Sequence, residues 1–230
     1  MPRTIVFDVN ETLLDLSALD PLFERLLGNV ALKSEWFGQV LQSATMMSAL
    51  GKYVDFGVVA HHALEMTVKR HNISLPEKAV KKILEKMRDL PPHAEVVESL
   101  QRLSSAGFRL AALTNSNKEM ANSQLGNAGI IQFFKKVMSV ETARCFKPCK
   151  AVYDMAADSL AAYPDNLMLV AAHEWDISGA ICAGWSGAFV ARPGMVLGPL
   201  SETPEIIGKN LGEIVDKIIE IETRRGDLDS

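Results

Sequence analysis

Short apolar runs bounded by polar or glycine residues recur along the chain and predict buried β-strands. Strands that are apolar on both faces are typical of a parallel sheet covered by helices. The predicted strands are residues 4–9, 109–114, 136–140, 167–171 and 188–191.

Helical patterns separate several of these strands, at residues 95–106, 118–128 and 151–162. Strand and helix therefore alternate, as right-handed crossover units between parallel strands require. The pattern predicts an α/β fold with a doubly wound, Rossmann-like parallel sheet.

Residues 16–90 differ from the rest of the chain because they have helical periodicity and no convincing strand. One apolar stripe runs from Trp36 to Met47, and a second ends just before Pro91. We predict a helical cap domain at residues 16–90, inserted into a core domain formed by residues 1–15 and 91–230. The charged segment 223–230 is expected to fray.

Composition narrows the class of protein. The 230 residues are 48% hydrophobic and 23% charged, which suits a globular protein with a sizeable core. A net charge of -4 without a Lys/Arg tract argues against nucleic-acid or membrane binding and favours a small-molecule partner. Three cysteines without CxxC spacing favour a reducing compartment, so cytoplasm is expected. We expect no signal peptide and no membrane span.

Polar residues follow several predicted strands at their carboxyl ends, where ligands bind in open parallel sheets. The first strand delivers Asp8 into a polar turn. We expect one site to collect Asp8, Asn10, Glu11, Thr12, Thr114, Asn115, Ser116, Lys147, His173, Glu174 and Asp176.

Four ordered motifs carry a family resemblance. They are Asp8 to Thr12; Leu113-Thr114-Asn115; Lys147-Pro148 with Val152-Tyr153; and Trp175-Asp176 with Gly179-Ala180. With these motifs the chain resembles the haloacid dehalogenase superfamily, and within it the L-specific 2-haloacid dehalogenases. The resemblance implies cleavage of the carbon-halogen bond of short 2-haloacids such as haloacetate and 2-halopropionate. Similar dehalogenases are often homodimers formed through the cap, which suggests a homodimer here.

Each motif residue can be given a chemical role. An ionised Asp8 can attack the carbon that bears the halogen, which leaves an ester on the enzyme. Lys147 would favour the ionised form of Asp8, and Asp176 would anchor Lys147 or a water molecule. Substrate-binding roles are predicted for Asn10, Thr12, Phe37, Thr114, Asn115 and Trp175.

The chain departs from the L-specific pattern near the first and fourth motifs. Glu11 replaces a glycine, and Ala171 and His173 replace a serine and an asparagine. We hypothesise that Glu11 holds one imidazole nitrogen of His173 while the other takes a proton from the water that hydrolyses the Asp8 ester. This pair resembles a variant of some dehalogenases in the superfamily.

Phe37 corresponds to the arginine that usually binds halide or substrate. An aromatic edge can face a halide, but with less gain than an arginine's charge. We therefore expect a tight pocket for a short substrate, whose carboxylate is held by backbone N–H groups.

A magnesium-dependent phosphatase acting on a small phosphomonoester is the alternative within the same superfamily. Such phosphatases usually carry an aspartate two residues after the nucleophile, and here that residue is Asn10, which cannot protonate a leaving alkoxide. Asp8 and Asp176 alone would make a poor magnesium site, so no metal or cofactor is predicted. A catalytically silent binding protein is a third reading, in which His173 and Asp176 are structural.

Overall fold

The computed structural model describes residues 2–228, and within them the strands form one six-stranded parallel sheet. The strands are β1 (Thr4–Phe7), β2 (Leu110–Thr114), β3 (Lys136–Ser139), β4 (Leu167–Ala171), β5 (Ser186–Val190) and β6 (Ile206–Gly208). Their order is β3-β2-β1-β4-β5-β6, and every neighbouring pair is parallel. The predicted α/β fold with a doubly wound parallel sheet is confirmed.

The central strands are the ones that hydrophobic patterning identifies well. Every residue of β1, β2 and β4 is buried. The edge strand β6 was not predicted, because it has only three residues and one of them, Ile207, is exposed. β5 begins at Ser186, two residues before the predicted start, because Ser186 pairs with Met168 of β4.

Helices connect the strands and cover the sheet: α5 (Val96–Ser105), α6 (Lys118–Asn127), α7 (Lys150–Leu160), α8 (Glu174–Cys182) and α9 (Leu211–Leu228). Helix α9 buries Leu211, Ile214, Val215 and Ile218 against the core. The expectation of fraying from residue 223 is wrong as far as Leu228, because the helix continues to that residue. Residues 229 and 230 lie outside the described residues.

The interval between β1 and α5 is helical, as predicted. After a short 3-10 turn at Leu16–Leu19 come α1 (Asp20–Leu27), α2 (Ala31–Ala49), α3 (Phe56–Arg70) and α4 (Glu77–Lys86). Helix α2 packs on α3, and the indole Nε1 of Trp36 donates a hydrogen bond to the carbonyl of Ala60 at 2.9 Å. The division into a core domain and a cap domain at residues 16 and 91 stays a prediction.

The two chain segments that enter and leave this helical interval pair with each other. The backbone N–H of Asp15 donates to the carbonyl of Pro91 at 2.8 Å, and that of His93 donates to Leu13 at 3.0 Å. The segment after Asp8 is therefore anchored beside His93. In the described part of the chain, no helix is long and apolar enough to cross a membrane.

Candidate active site

The turn after β1 places two acidic side chains next to each other. The backbone N–H of Asp8 donates to Val170 of β4 at 3.0 Å, which extends the sheet to the start of the turn. Glu11 has a φ of 62°, a left-handed conformation that non-glycine residues rarely adopt and that often marks functional turns. The carbonyl of Glu11 lies 3.2 Å from Nε2 of His93, which helps to hold this conformation.

Lys147 lies between two buried carboxylates. Its Nζ is 2.8 Å from Oδ1 of Asp8 and 2.5 Å from Oδ2 of Asp176, and it also donates to the carbonyl of Leu113 at 3.0 Å. These contacts use all three ammonium donors. Burial lowers the pKa of Lys147, but the two carboxylates outweigh burial and raise it above its ordinary value. Lys147 is therefore a fixed cation.

The Asp8 carboxylate is held on both oxygens. Thr12 Oγ1 donates to Asp8 Oδ2 at 2.7 Å, and the backbone N–H of Ala172 donates to that hydroxyl oxygen at 2.9 Å. Burial raises the pKa of Asp8, but the charge of Lys147 and the contact with His173 outweigh burial and hold it well below its usual range. Asp8 is therefore ionised at neutral pH and restricted in orientation, as a nucleophilic carboxylate must be.

Asp176 completes the group on the far side of Lys147. The hydroxyl of Tyr153 donates to Asp176 Oδ1 at 2.7 Å, so both oxygens of this fully buried carboxylate have partners. Burial raises the pKa of Asp176, and the nearby Asp8 charge adds to the rise against the opposing effect of Lys147. One lysine thus serves two carboxylates, and Tyr153 supplies the additional donor.

His173 lies between Glu11 and Asp8. Its Nε2 is 2.8 Å from Glu11 Oε2, and its Nδ1 is 3.6 Å from Asp8 Oδ2, which is an ion-pair distance but too long for a hydrogen bond. Burial lowers the pKa of His173, but Asp8 and Glu11 outweigh burial and raise it to about 9. At neutral pH the imidazole is therefore protonated while Asp8 carries its charge. His173, the predicted base, must therefore lose this proton before it can accept one from water.

Three predicted substrate-binding side chains have partners within the protein. Asn10 Oδ1 accepts a hydrogen bond from Gln124 Nε2 at 3.0 Å. Asn115 Oδ1 accepts from the backbone N–H of Lys147 at 3.0 Å, and Thr114 Oγ1 accepts from that of Ser116 at 3.2 Å. These contacts shape the wall around Asp8, and a role in substrate binding stays a prediction for all three.

Glu11 and His173 line an open cavity of about 520 Å³. The Phe37 ring lines it, with its centroid 6.5 Å from that of His173. The Trp175 ring lies 5.0 Å from the His173 ring and 5.9 Å from Lys147 Nζ. The cavity is open to solvent, so its volume is not that of a closed substrate site, and the tight pocket stays a prediction. Gly38, next to Phe37 on α2, also lines the cavity and is exposed.

Two residues that hold the turn were not among the predicted site residues. Arg192 Nη2 donates to the carbonyl of Thr12 at 2.8 Å, and its Nη1 pairs with Glu95 at 2.5 Å. His93 holds the adjacent carbonyl, that of Glu11. Arg192 follows the end of β5 by two residues, so its position at a strand end could have revealed it. The sequence gives no comparable signal for His93.

The residues around Asp8 do not fit a magnesium site. Lys147 Nζ occupies the position between Asp8 and Asp176, and the Asn10 amide is bonded to Gln124. Among the described residues, no group of three or more His, Cys, Asp or Glu side chains could hold a metal ion. A cation shared by two carboxylates is already supplied by the lysine, so this donor set does not favour the phosphatase alternative.

Fold and site define an α/β protein with a carboxylate–lysine–carboxylate group at the carboxyl ends of its parallel strands. A family model described as haloacid dehalogenase-like hydrolase matches residues 2–184. The chain therefore belongs to the haloacid dehalogenase-like hydrolases.

Individual relatives cover nearly the whole chain. The (S)-2-haloacid dehalogenase H-109 of Pseudomonas putida is 28% identical over 94% of this chain and 97% of its own length. The haloacetate dehalogenase H-2 of Moraxella sp. (strain B) is 27% identical over the same shares, 94% and 97%. The solved L-2-haloacid dehalogenase of Xanthobacter autotrophicus with chloropropionic acid covalently bound has a TM-score of 0.88 at 23% identity, covering 95% and 98% of the two chains. At 23% identity, the similarity to the Xanthobacter autotrophicus enzyme shows that the two proteins share a fold.

Proposed function

We propose that the protein is a hydrolytic dehalogenase that cleaves the carbon-halogen bond of short 2-haloacids, such as haloacetate and 2-halopropionate. The observation that carries the proposal is the ionised Asp8 carboxylate, which is fixed by Lys147 and Thr12 and adjoins the Glu11–His173 pair that lines the cavity. The names of the Pseudomonas and Moraxella relatives support this substrate class.

In the first half-reaction Asp8 attacks the substrate. Oδ1 accepts a hydrogen bond from the buried Lys147 ammonium. Oδ2 accepts one from the neutral Thr12 hydroxyl and faces His173, which lines the cavity, so we assign Oδ2 as the attacking atom. Oδ2 forms a bond to the carbon that bears the halogen, and the halogen leaves as halide with the bonding electrons. A departing halide needs no proton, which is consistent with Asn10 at the position where phosphatases carry an acid.

Formation of the ester removes the negative charge of Asp8. That charge lies 3.6 Å from His173 Nδ1 and is one of the causes of the raised pKa of the imidazole. Once it is gone, the imidazolium can release its Nδ1 proton to solvent, while Glu11 continues to hold Nε2. Esterification thus converts His173 from a cation into a base at the moment when a base is needed.

In the second half-reaction water attacks Cγ of Asp8. His173 Nδ1 accepts a proton from that water, and Lys147 stabilises the negative charge that develops on Oδ1. The tetrahedral intermediate then breaks the bond between Cγ and Oδ2, and His173 returns its proton to Oδ2, which leaves as the hydroxyl oxygen of the 2-hydroxy acid. The new Asp8 carboxyl group, which now contains the oxygen of the water, passes its proton to His173 and becomes the carboxylate again. The net reaction consumes one water molecule and releases one halide and one proton.

Replacing His173 with asparagine tests this function. We expect the His173→Asn variant to release about one halide per enzyme from bromoacetate and then stop. Intact mass spectrometry should show the carboxymethyl adduct, and peptide mapping should place it on Asp8. The matched control is His62→Asn, because His62 is an exposed histidine on α3. An unmodified His173→Asn protein with normal turnover would contradict the proposed base.

The proposal includes a cytoplasmic homodimer. Within the described residues, the three cysteines form no disulfide, which is consistent with a reducing compartment. Four large apolar side chains of the helical interval are 44–60% exposed, which supports association of two chains through this interval. They are Met46 and Leu50 near the end of α2, and Val58 and Met66 on α3. Light scattering on the wild type and on Leu50→Glu measures the association state, and a monomeric wild type would contradict the dimer.

A further inference from the structure

Gln124 is a buried polar residue that the proposed mechanism does not use. Its side chain is fully buried on α6, where it lines a second cavity, of about 110 Å³, whose other walls are mostly apolar. A buried amide is costly where its polar atoms lack partners, and Oε1 of Gln124 has no hydrogen-bond partner among the described residues. The reason for a glutamine at this position must therefore be sought in its Nε2 group.

Nε2 of Gln124 donates two hydrogen bonds, one to the helical interval and one to the turn after β1. The first goes to the carbonyl of Met87 at 2.7 Å, in the 3-10 turn Met87–Asp89. The second goes to Oδ1 of Asn10 at 3.0 Å. Because a side-chain NH₂ group carries two hydrogens, both donors are used. Gln124 thus connects the end of the helical interval to the residue two positions after Asp8.

The contact with Met87 determines the orientation of the Gln124 amide. A backbone carbonyl only accepts hydrogen bonds, so it needs Nε2 beside it and would be repelled by Oε1. Because the same Nε2 also contacts Asn10, the group that Gln124 presents to Asn10 is a donor. Asn10 must then answer with its own oxygen. The orientation of one amide therefore sets the orientation of the next.

The Nδ2 group of Asn10 is consequently on the side away from Gln124. It lies 3.5 Å from Oγ of Ser116, which is at the limit of a hydrogen bond, so the amide keeps donor capacity. Asn10 follows β1 and Ser116 follows β2, and Lys147 joins Asp8 to the carbonyl of Leu113 between these neighbouring strands. The reverse orientation of Asn10 would place a carbonyl oxygen there, which repels an anion.

We infer that Gln124 is a positioning residue, which fixes the Asn10 amide with its N–H groups toward the anionic substrate. The inference rests on the proposed dehalogenase function and deepens it, because a 2-haloacid brings a carboxylate and releases a halide, and both accept hydrogen bonds. Hydrogen bonds to charged partners are stronger than neutral ones, so loss of the fixed orientation should lower kcat/KM by about tenfold.

The test compares the wild type with Gln124→Met, Asn10→Leu and the double variant. Methionine keeps the length of glutamine without its donors, and leucine keeps the shape of asparagine without its polar atoms. Asn127→Leu is the matched control, because Asn127 also lies on α6 and donates to the carbonyl of Arg88 in the same 3-10 turn, at 2.9 Å. The hydrogen bond of Asn127 goes to Arg88 and not to Asn10.

The measurements are kcat and KM for bromoacetate, the inhibition constants of acetate and bromide, and the melting temperature. Gln124→Met and Asn10→Leu should each lower kcat/KM by about tenfold, and the double variant should lose no more than Asn10→Leu, because Gln124 acts through Asn10. Asn127→Leu should stay within about twofold of the wild type. A weaker acetate inhibition would assign the contact to the carboxylate, and a weaker bromide inhibition would assign it to the halide.

Gln124→Glu is a second variant of the same size, in case the methionine variant does not fold. An ionised glutamate accepts hydrogen bonds where glutamine donates them, so it should turn the Asn10 amide round and lower kcat/KM at least as much. Its melting temperature shows whether the variant is folded under the assay conditions.

Different results overturn different claims. A lower melting temperature with unchanged kcat/KM in folded Gln124 variants would show a merely structural role and overturn this inference. Losses that multiply in the double variant would also overturn it, because Gln124 would then act on a group other than Asn10. Absence of halide release by the wild type would instead overturn the proposed function itself.

Discussion

The charge on Asp8 should control the protonation of His173, and Asp8→Asn tests this directly. The substitution removes the negative charge and keeps the shape of the side chain, as the ester does. In the wild type, His173 has a pKa raised to about 9, against burial, by contacts with Asp8 and Glu11. We expect the variant to have a His173 pKa below neutrality, so that the imidazole is neutral at pH 7.

The magnitude follows from the distance of 3.6 Å between His173 Nδ1 and Asp8 Oδ2. With an effective dielectric constant of about 20, two unit charges at this separation interact by roughly 4–5 kcal/mol. Since about 1.4 kcal/mol corresponds to one pH unit, loss of the Asp8 charge should lower the His173 pKa from about 9 to roughly 5.5–6. Glu11 remains in place, and its contribution is already included in the starting value of about 9.

The assay is an NMR pH titration of the His173 ring in the wild type, in Asp8→Asn and in Glu11→Gln. Glu11→Gln should also lower the pKa, because it removes the charged partner 2.8 Å from Nε2. Glu65→Gln is the control, since Glu65 contacts His62 at an exposed position on α3 and should leave the His173 titration unchanged. A His173 pKa that stays at about 9 in Asp8→Asn would refute the reasoning.

Three further predictions concern stability and the residues that support the site. Tyr153→Phe removes the hydrogen bond to the buried Asp176 and should lower the free energy of unfolding in urea by about 1.5–3 kcal/mol; an unchanged value would show that this bond is not stabilising. Arg192→Met removes the donor to the Thr12 carbonyl and should cost about 1–3 kcal/mol in the same assay and slow halide release; unaltered kinetics would argue against Arg192 as a positioning residue. Because His173 has a folded-state pKa near 9 against about 6.5 when unfolded, its stabilising contribution is complete below about pH 6.5 and lost as the pH rises to about 9, a change of about 3 kcal/mol. Urea unfolding of wild type and His173→Asn at pH 6 and pH 9 measures that change, and equal losses in both proteins would contradict it.

The sequence predicts the sheet well because central parallel strands are apolar on both faces, as β1 and β4 are. The same logic collects Asp8 and Lys147 at one site, since strand ends converge there. It fails for β6, whose three residues are too short to give a pattern.

The sequence does not predict properties that depend on the distances between side chains, such as the protonation state of His173. The protonated state of His173 results from two carboxylates within 3.6 Å, one of them on a turn residue with a left-handed backbone. The cavity is lined by residues from the turn after β1, from α2 and from the segment after β5, which only folding brings together. Phe37 lines the cavity, and its expected role as a wall of the halogen pocket stays a prediction.

The central claim is that Asp8 carries the substrate as an ester, and a single turnover in ¹⁸O-labelled water tests it most directly. With enzyme in excess over bromoacetate, water attacks Cγ of Asp8, so ¹⁸O should enter the Asp8 carboxylate. The product 2-hydroxy acid should keep an unlabelled hydroxyl oxygen that comes from Asp8. Mass spectrometry of the Asp8 peptide and of the product measures both. Labelled product together with an unlabelled Asp8 peptide would contradict the account, because water would then have displaced the halide directly.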